Sequence, residues 1–160
     1  MNEAGDRALA GRGAGDLTPP RRRFWVSHSP GKVVARYVDG AILKGYADFD
    51  PDQPAFRLMP VDHPDGEGME IRVKALKAVF FVRSFAGNPG YSESKDLYQA
   101  RPSGTRKVCV EFVDGEELVG HTRGDTSKRA GFFFTPLDPR SNNLKIFAVS
   151  AAVSRVRRLL

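Results

Sequence analysis

Two stretches of the chain, KVVARYVDGAILKG at residues 32–45 and KVCVEFVDGEELVG at residues 107–120, repeat one phrase. Aligned without gaps, they share Lys, Val, Val, Asp, Gly, Leu and Gly, which is seven of fourteen positions. In both, alternate residues are apolar before an Asp-Gly pair, the pattern of a half-buried strand entering a tight hairpin turn. The repetition therefore predicts an internal duplication of one β-hairpin.

The similarity continues after the hairpins, with AFRLMPVD at residues 55–62 and GFFFTPLD at residues 131–138. These segments are predicted third strands that end at a proline, which has no N–H to continue a ladder. Apolar segments at residues 69–73 and 144–149 predict fourth strands, and those at residues 76–82 and 153–156 predict fifth strands. Five short strands predict a small, strongly bent antiparallel barrel in each copy. The fold class is therefore all-β, with two tandem five-stranded barrels that pack together because each alone is too small to be stable.

Four segments follow from this pattern. Residues 1–20 hold four Gly, four Ala and a Pro pair without an apolar period, and are predicted to be a disordered tail. Residues 21–85 form the first barrel repeat, residues 86–106 a polar connector, and residues 107–160 the second repeat. The C-terminal SAAVSRVRRLL fits both a strand and a short helix, and we favour the strand.

Composition restricts the function classes. The 160 residues are 41% hydrophobic and 28% charged, as in ordinary soluble proteins. No apolar stretch approaches the roughly 18 residues of a membrane span, which predicts a cytoplasmic protein. The single cysteine, Cys109, excludes an internal disulfide and is predicted to be a small buried hydrophobe. The net charge of +6 is concentrated near the two ends of the chain and does not define a binding face.

The chain resembles an uncharacterised bacterial family, a domain of unknown function with duplicated DG…LxG hairpins. The resemblance extends over about residues 32–156 and depends on two long phrases, LKAVFFVRSFAGNPGY at residues 76–91 and GFFFTPLDPRSNN at residues 131–143. It implies no activity. Each repeat is also similar in strand order to an Sm-like or SH3-like barrel. Sm-type RNA binding would require a loop asparagine where Pro54 or Ala55 stands, so the RNA-binding pattern does not match.

Catalytic motifs are missing from the sequence. His28, His63 and His121 fall in three separate segments without the spacing of metal ligands. No phosphate loop, GxSxG elbow or HExxH motif is present. We therefore predict a protein that is not an enzyme and that needs neither metal nor cofactor.

Aromatic and basic residues predict a protein-binding function. Adjacent rings cannot all face one side of a strand, so Phe80 and Phe81, or Phe132 and Phe133, either join the two barrels or present a surface to a partner. The segment RRRFWV adds residue types that are common in interface hot spots. We expect an adaptor in bacterial signalling or regulation whose partner is another protein, such as a response regulator or a small GTPase. The predicted protein-binding residues are Arg21, Arg22, Arg23, Phe24, Trp25, Phe80, Phe81, Phe132 and Phe133.

A ligand-binding function is the alternative. PilZ-type domains hold a cyclic dinucleotide with an arginine pair before the first strand and a D-x-S-x-x-G segment after the second. Here Arg101 and Arg106 precede a strand, and Asp125 and Ser127 open the similar segment DTSKRAG, although both spacings are one residue too long. Guanidinium groups suit phosphates and guanine rings, so these residues predict a site for a cyclic dinucleotide or for single-stranded RNA.

Overall fold

The computed structural model describes residues 30–96 and 100–160, in which ten strands and two short 3-10 turns form. The strands are β1 (Gly31–Tyr37), β2 (Ile42–Ala47), β3 (Ala55–Pro60), β4 (Met69–Arg72), β5 (Leu76–Val82), β6 (Arg106–Phe112), β7 (Glu117–Thr122), β8 (Gly131–Pro136), β9 (Asn143–Val149) and β10 (Val153–Arg158). The predicted strands are confirmed, including the C-terminal one. The predicted tail and the segment RRRFWV lie outside the described residues.

The two Asp-Gly pairs form matching turns. Gly40 and Gly115 have φ angles of 95° and 92°, a region that glycine enters without strain. In each turn the aspartate carboxylate accepts a hydrogen bond from the backbone N–H two residues later, at 2.9 Å for Asp39 and 3.0 Å for Asp114. The two similar phrases therefore form hairpins with matching turns.

The ten strands make one antiparallel sheet in the order β10-β6-β7-β8-β9-β5-β1-β2-β3-β4. This order contains the same five-strand pattern twice, because β10-β6-β7-β8-β9 corresponds strand for strand to β5-β1-β2-β3-β4. The two halves are joined where β5 of the first repeat pairs with β9 of the second. The prediction of two separate barrels packed together is not confirmed, because this pairing makes one continuous open sheet.

Two hydrophobic cores lie on opposite faces of this sheet. Side chains alternate between the faces along a strand, so neighbouring residues of β5 and β9 enter different cores. Val79 and Phe147 belong to the first core, whereas Phe80 and Ile146 belong to the second. The central strand pair is therefore buried on both faces, and each repeat covers one of them.

Gly45 and Gly120 occupy equivalent positions in β2 and β7. The sequence predicts a bulge or sharp bend at these glycines, but the β1–β2 and β6–β7 registers pass through both of them without a shift. A Cβ atom at Gly45 would lie 2.3 Å from the Met59 carbonyl oxygen, and one at Gly120 would lie 2.3 Å from the Thr135 carbonyl oxygen. Glycine is thus required by the close approach of the neighbouring strand.

Residues 31–160 form a single compact unit by their contacts. Across the part of the chain described, no helix has the length and apolar character that crossing a membrane would require.

Candidate functional site

A buried lysine ties the two repeats together. Lys77, on β5, is 1% exposed, and its Nζ lies 2.6 Å from Asp114 Oδ2 and 3.0 Å from Glu116 Oε1. Both carboxylates belong to the Asp-Gly turn of the second repeat. The hydrogen bond from Lys77 lowers the pKa of Asp114. Lys77 Nζ also lies 4.9 Å from the ring centroid of Phe112, so the lysine is held by charge and by an aromatic face.

The two family phrases meet at Asp138, which follows β8 and is 4% exposed. Its carboxylate accepts hydrogen bonds from the Tyr91 hydroxyl and from the backbone N–H groups of Ser94 and Arg140, each of the latter at 2.8 Å. The Tyr91 hydrogen bond lowers the pKa of Asp138 and raises that of Tyr91 itself. The cluster holds the start of the connector against the β8–β9 turn, so its polar groups serve the fold.

A groove of about 650 Å³, here called the junction groove, lies where loops of the two repeats approach each other. The β2–β3 loop contributes Pro51 and Asp52, and the β7–β8 loop of the second repeat contributes most of the other wall. It is lined by Pro51, Asp52, Pro102, Thr105, residues 121–125, residues 128–135, Lys145 and Phe147. Both repeats are therefore needed to build it.

The junction groove has an excess of positive charge. Its lining contains the bases Arg123, Lys128, Arg129 and Lys145 against the acids Asp52 and Asp125. The Asp125 carboxylate already accepts hydrogen bonds from the backbone N–H and the hydroxyl of Ser127, at 2.8 and 2.6 Å.

His121 also lines the junction groove. Burial is the main cause that lowers the pKa of His121, and the charges of Arg123 and Arg101 lower it further. The positive charge of the two arginines is thus the secondary cause of the lowered pKa.

Aromatic rings form the floor of the junction groove. The ring centroids of Phe133 and Phe147 are 5.0 Å apart, and those of Phe81 and Phe133 are 6.0 Å apart. The ammonium group of Lys145 stands 4.8 Å from the centroid of Phe81 and 4.7 Å from that of Phe133. An exposed cation thus sits over two half-buried rings at the place where β9 and β5 pair.

A second groove of about 480 Å³, here called the apolar groove, adjoins the first. Both grooves are lined by Pro51, Asp52, Arg129 and Ala130, so the two meet at these residues. Beyond these shared residues, the apolar groove is lined by Gln53, Pro54, Val73, Lys74, Val149 and Ala151.

The predicted protein-binding residues have different environments. Phe80 and Phe132 are 4% and 3% exposed in the second core, and offer little ring surface to a partner. Phe81 and Phe133 are half-buried against the first core at the β5–β9 junction. Arg21, Arg22, Arg23, Phe24 and Trp25 lie outside the described residues.

Of the four residues of the alternative ligand site, Asp125 lines the junction groove, and the other three hydrogen-bond to residues that line it. Arg101 donates a hydrogen bond to the carbonyl of Thr105, and Arg106 donates one to the carbonyl of Gly124 at 2.6 Å. Thr105, Gly124 and Asp125 line the groove, and Ser127 hydrogen-bonds to Asp125.

Four basic residues of the groove were not predicted from the sequence. Arg123, Lys128 and Arg129 flank or belong to the segment DTSKRAG, so the density of bases in that loop was an available signal. Lys145 lies in a different strand, and nothing in the sequence linked it to the loop.

A group of three potential metal ligands, Cys109, Glu111 and Glu117, lies on the outer face of the second repeat, with ligand atoms within 4.8 Å of one another. The Glu111 carboxylate forms ion pairs with Arg155 at 2.9 Å and with Arg157 at 2.8 Å. These hydrogen bonds lower the pKa of Glu111 to about 2, and the one from Arg155 has the larger effect. Burial raises the pKa of the Cys109 thiol, which keeps it protonated. The group is best explained as a charge network across β10, β6 and β7.

Comparison with protein families gives one match. The model of a family of unknown function, DUF6982, matches residues 29–160, so the chain belongs to this family. The resemblance to an uncharacterised family is thereby confirmed. Neither curated proteins nor solved structures give a match.

Proposed function

We propose that the protein is a non-enzymatic binding module whose junction groove captures a ligand with phosphate groups and flat rings, of the nucleotide class. The observation that supports this proposal is the cluster of four basic side chains around an aromatic floor. Arginine and lysine recognise phosphates through charge-assisted hydrogen bonds, and aromatic rings stack on bases. Of the predicted residues, Asp125 lines this groove, and Arg101, Arg106 and Ser127 hydrogen-bond to residues that line it, which supports a link to the sequence pattern.

His121 provides a direct readout of ligand binding. An anion beside the imidazole stabilises its protonated form, so a bound phosphate raises the pKa of His121 from its lowered value in the free protein. An NMR titration of the imidazole with and without ligand measures this change. Sodium chloride at the ionic strength of the ligand solution controls for a general salt effect.

Binding is tested by fluorescence anisotropy with a labelled cyclic dinucleotide and a labelled single-stranded RNA. We expect the double variant Lys128→Ser, Arg129→Ser to weaken binding at least tenfold, and the affinity to fall steeply between about 50 and 200 mM salt. The matched control is Arg72→Ser, which removes an exposed arginine that lines neither groove. Equal affinities for the groove variant and the control, or no binding of either ligand, would refute the proposal.

A second candidate function is the protein adaptor. Within residues 30–96 and 100–160, β4 pairs only with β3 and β10 only with β6, so each leaves one edge without a strand partner. An extended segment of another protein, such as a response regulator or a small GTPase, can bind such an edge by strand addition. This function would be favoured if one protein is captured and its capture survives nuclease and 200 mM salt. The captured protein should also protect the backbone amides of β4 or β10 from hydrogen exchange. Capture that nuclease abolishes would exclude it.

A further inference from the structure

The junction groove does not end at the loops that border it. Four residues, Pro51, Asp52, Arg129 and Ala130, line it and the apolar groove together. The two grooves, of about 650 and 480 Å³, therefore form a depression whose two parts meet at these residues of the β2–β3 and β7–β8 loops, a place here called the narrow point. A compact ligand occupies one part of such a depression, whereas a linear ligand can follow its whole length.

Positive charge is distributed along the whole depression. Arg123 and Lys145 line the junction groove, Arg129 stands at the narrow point, and Lys74 lines the apolar groove. All four side chains are exposed, so an anion reaches each of them without a change in the fold. This arrangement suits a ligand that repeats its negative charge along a chain.

Both grooves also offer apolar surface. The ring of Phe133 lies in the floor of the junction groove, and Pro51, Pro54 and Val73 line the apolar groove. Flat rings and proline faces pack against nucleobases without reading their hydrogen-bonding edges. An acidic peptide would use the charges but has no planar groups for these surfaces.

We infer that the ligand is a linear single strand of nucleic acid that runs along both grooves, and that a cyclic dinucleotide is too compact to fill them. The inference rests on the proposed function and specifies its ligand class. The strand is bound mainly through its phosphates and by stacking, so recognition tolerates different base sequences.

The salt dependence of binding distinguishes a linear from a compact ligand. For single strands, each phosphate contact contributes about −0.7 to the slope of log K against log salt. Contacts with Arg123, Lys128, Arg129, Lys145 and Lys74 would give a slope of about −3.5. A ligand with two phosphates cannot exceed a slope of about −1.4.

The experiment uses the full chain and fluorescein-labelled oligouridylates of two, four, eight and twelve nucleotides. A labelled cyclic dinucleotide, an octadeoxythymidylate and a polyglutamate peptide complete the set. We expect affinity to rise at least tenfold from the dimer to the octamer and then to level off, with the RNA and DNA octamers within a few-fold of each other.

Variants at three positions test where the nucleic-acid strand binds. Lys74→Ser should weaken octamer binding several-fold and make its salt slope shallower by about 0.7, while leaving binding of the dinucleotide unchanged. Arg129→Ser, at the narrow point, should weaken both. Arg72→Ser, two residues from Lys74, is the matched control and should change neither. The three side chains are exposed, and circular dichroism verifies that the variants are folded.

The possible failures are distinguishable. If the cyclic dinucleotide binds as tightly as the octamer and Lys74→Ser has no effect, the linear ligand is refuted while the groove remains a nucleotide site. If the polyglutamate peptide binds as tightly as the octamer, the groove is assigned to an acidic polypeptide. If Arg129→Ser weakens the binding of no nucleotide ligand, the proposed function itself fails.

Discussion

Replacement of Lys77 by methionine should weaken the junction between the two repeats. The lysine is 1% exposed and forms two short ion pairs, of 2.6 Å with Asp114 and 3.0 Å with Glu116. Methionine keeps most of the aliphatic chain but removes the ammonium group. The variant therefore removes the two ion pairs together with the cation–π contact with Phe112.

The structure sets the expected size of the effect. A hydrogen bond to a charged group contributes about 1.5–3 kcal/mol, and breaking a buried ion pair costs about 3–5 kcal/mol. The two carboxylates keep side-chain exposures of 30% and 36%, so water can solvate them again after the lysine is lost. Arg36, 3.4 Å from Glu116, also neutralises part of the remaining charge. We therefore expect Lys77→Met to cost about 2–3 kcal/mol.

Urea unfolding at pH 7 measures this loss. With an m-value of about 2 kcal/mol/M, a loss of 2–3 kcal/mol lowers the midpoint by about 1–1.5 M. The exposed Lys74→Met is the control and should change stability by less than about 0.5 kcal/mol.

The effect should also depend on pH. The pKa of Asp114 is lowered in the folded state, so its contribution is present above the ordinary aspartate pKa and is lost as the pH falls through the folded-state value. The difference between wild type and Lys77→Met should therefore decrease as the pH falls through this range. A variant as stable as wild type at pH 7, or a difference that grows in acid, would refute this account of the junction.

Three further predictions concern other parts of the fold. Gly120→Ala should lower the free energy of unfolding by at least about 2 kcal/mol in thermal melts, because its Cβ would lie 2.3 Å from the Thr135 carbonyl oxygen. In the same melts the control Gly31→Ala, whose Cβ would have nothing within 4 Å, should be nearly neutral. Tyr91→Phe should raise the pKa of Asp138 toward its ordinary value and speed hydrogen exchange at the Ser94 amide. Because the pKa of Asp138 is lowered in the folded protein, the stabilisation is present at neutral pH and lost in acid. An unchanged titration of the Asp138 carboxyl group by NMR would contradict the assignment. Phe80→Ala should cost about 3–5 kcal/mol in urea unfolding, because the ring is buried in the second core, and a loss below about 1 kcal/mol would show that the ring is not a core residue.

The local structure was predictable because it depends on neighbours in sequence. Alternating apolar residues before Asp39-Gly40 and Asp114-Gly115 identify the hairpins, and the prolines mark the ends of the third strands. The pairing of β5 with β9 was not predicted, although a signal was present. LKAVFFV in β5 is apolar on both faces, as expected of a strand in the middle of a sheet, whereas VSRVRR in β10 is not.

The candidate site was predictable only in part, for the same reason. Arg106 and Asp125 are on segments joined by the β6–β7 hairpin, so local reasoning places them together. Pro51 and Lys145 enter the junction groove only because β5 and β9 pair across the repeats. A site built at a long-range junction has no signature in the spacing of its residues.

The duplication also bears on why the junction of β5 with β9 is not repeated at the outer strands of the described sheet. The outer strands β10 and β4 are the counterparts of β5 and β9, so their free edges could in principle repeat the junction with another copy. The counterparts of Ala78 and Phe80, however, are Arg155 and Arg157, and the counterpart of Phe147 is Glu70. Charged residues thus replace apolar residues that bury the junction, so a second junction with another copy would bury these charges. The two repeats therefore differ at the positions that build the β5–β9 junction and the groove beside it.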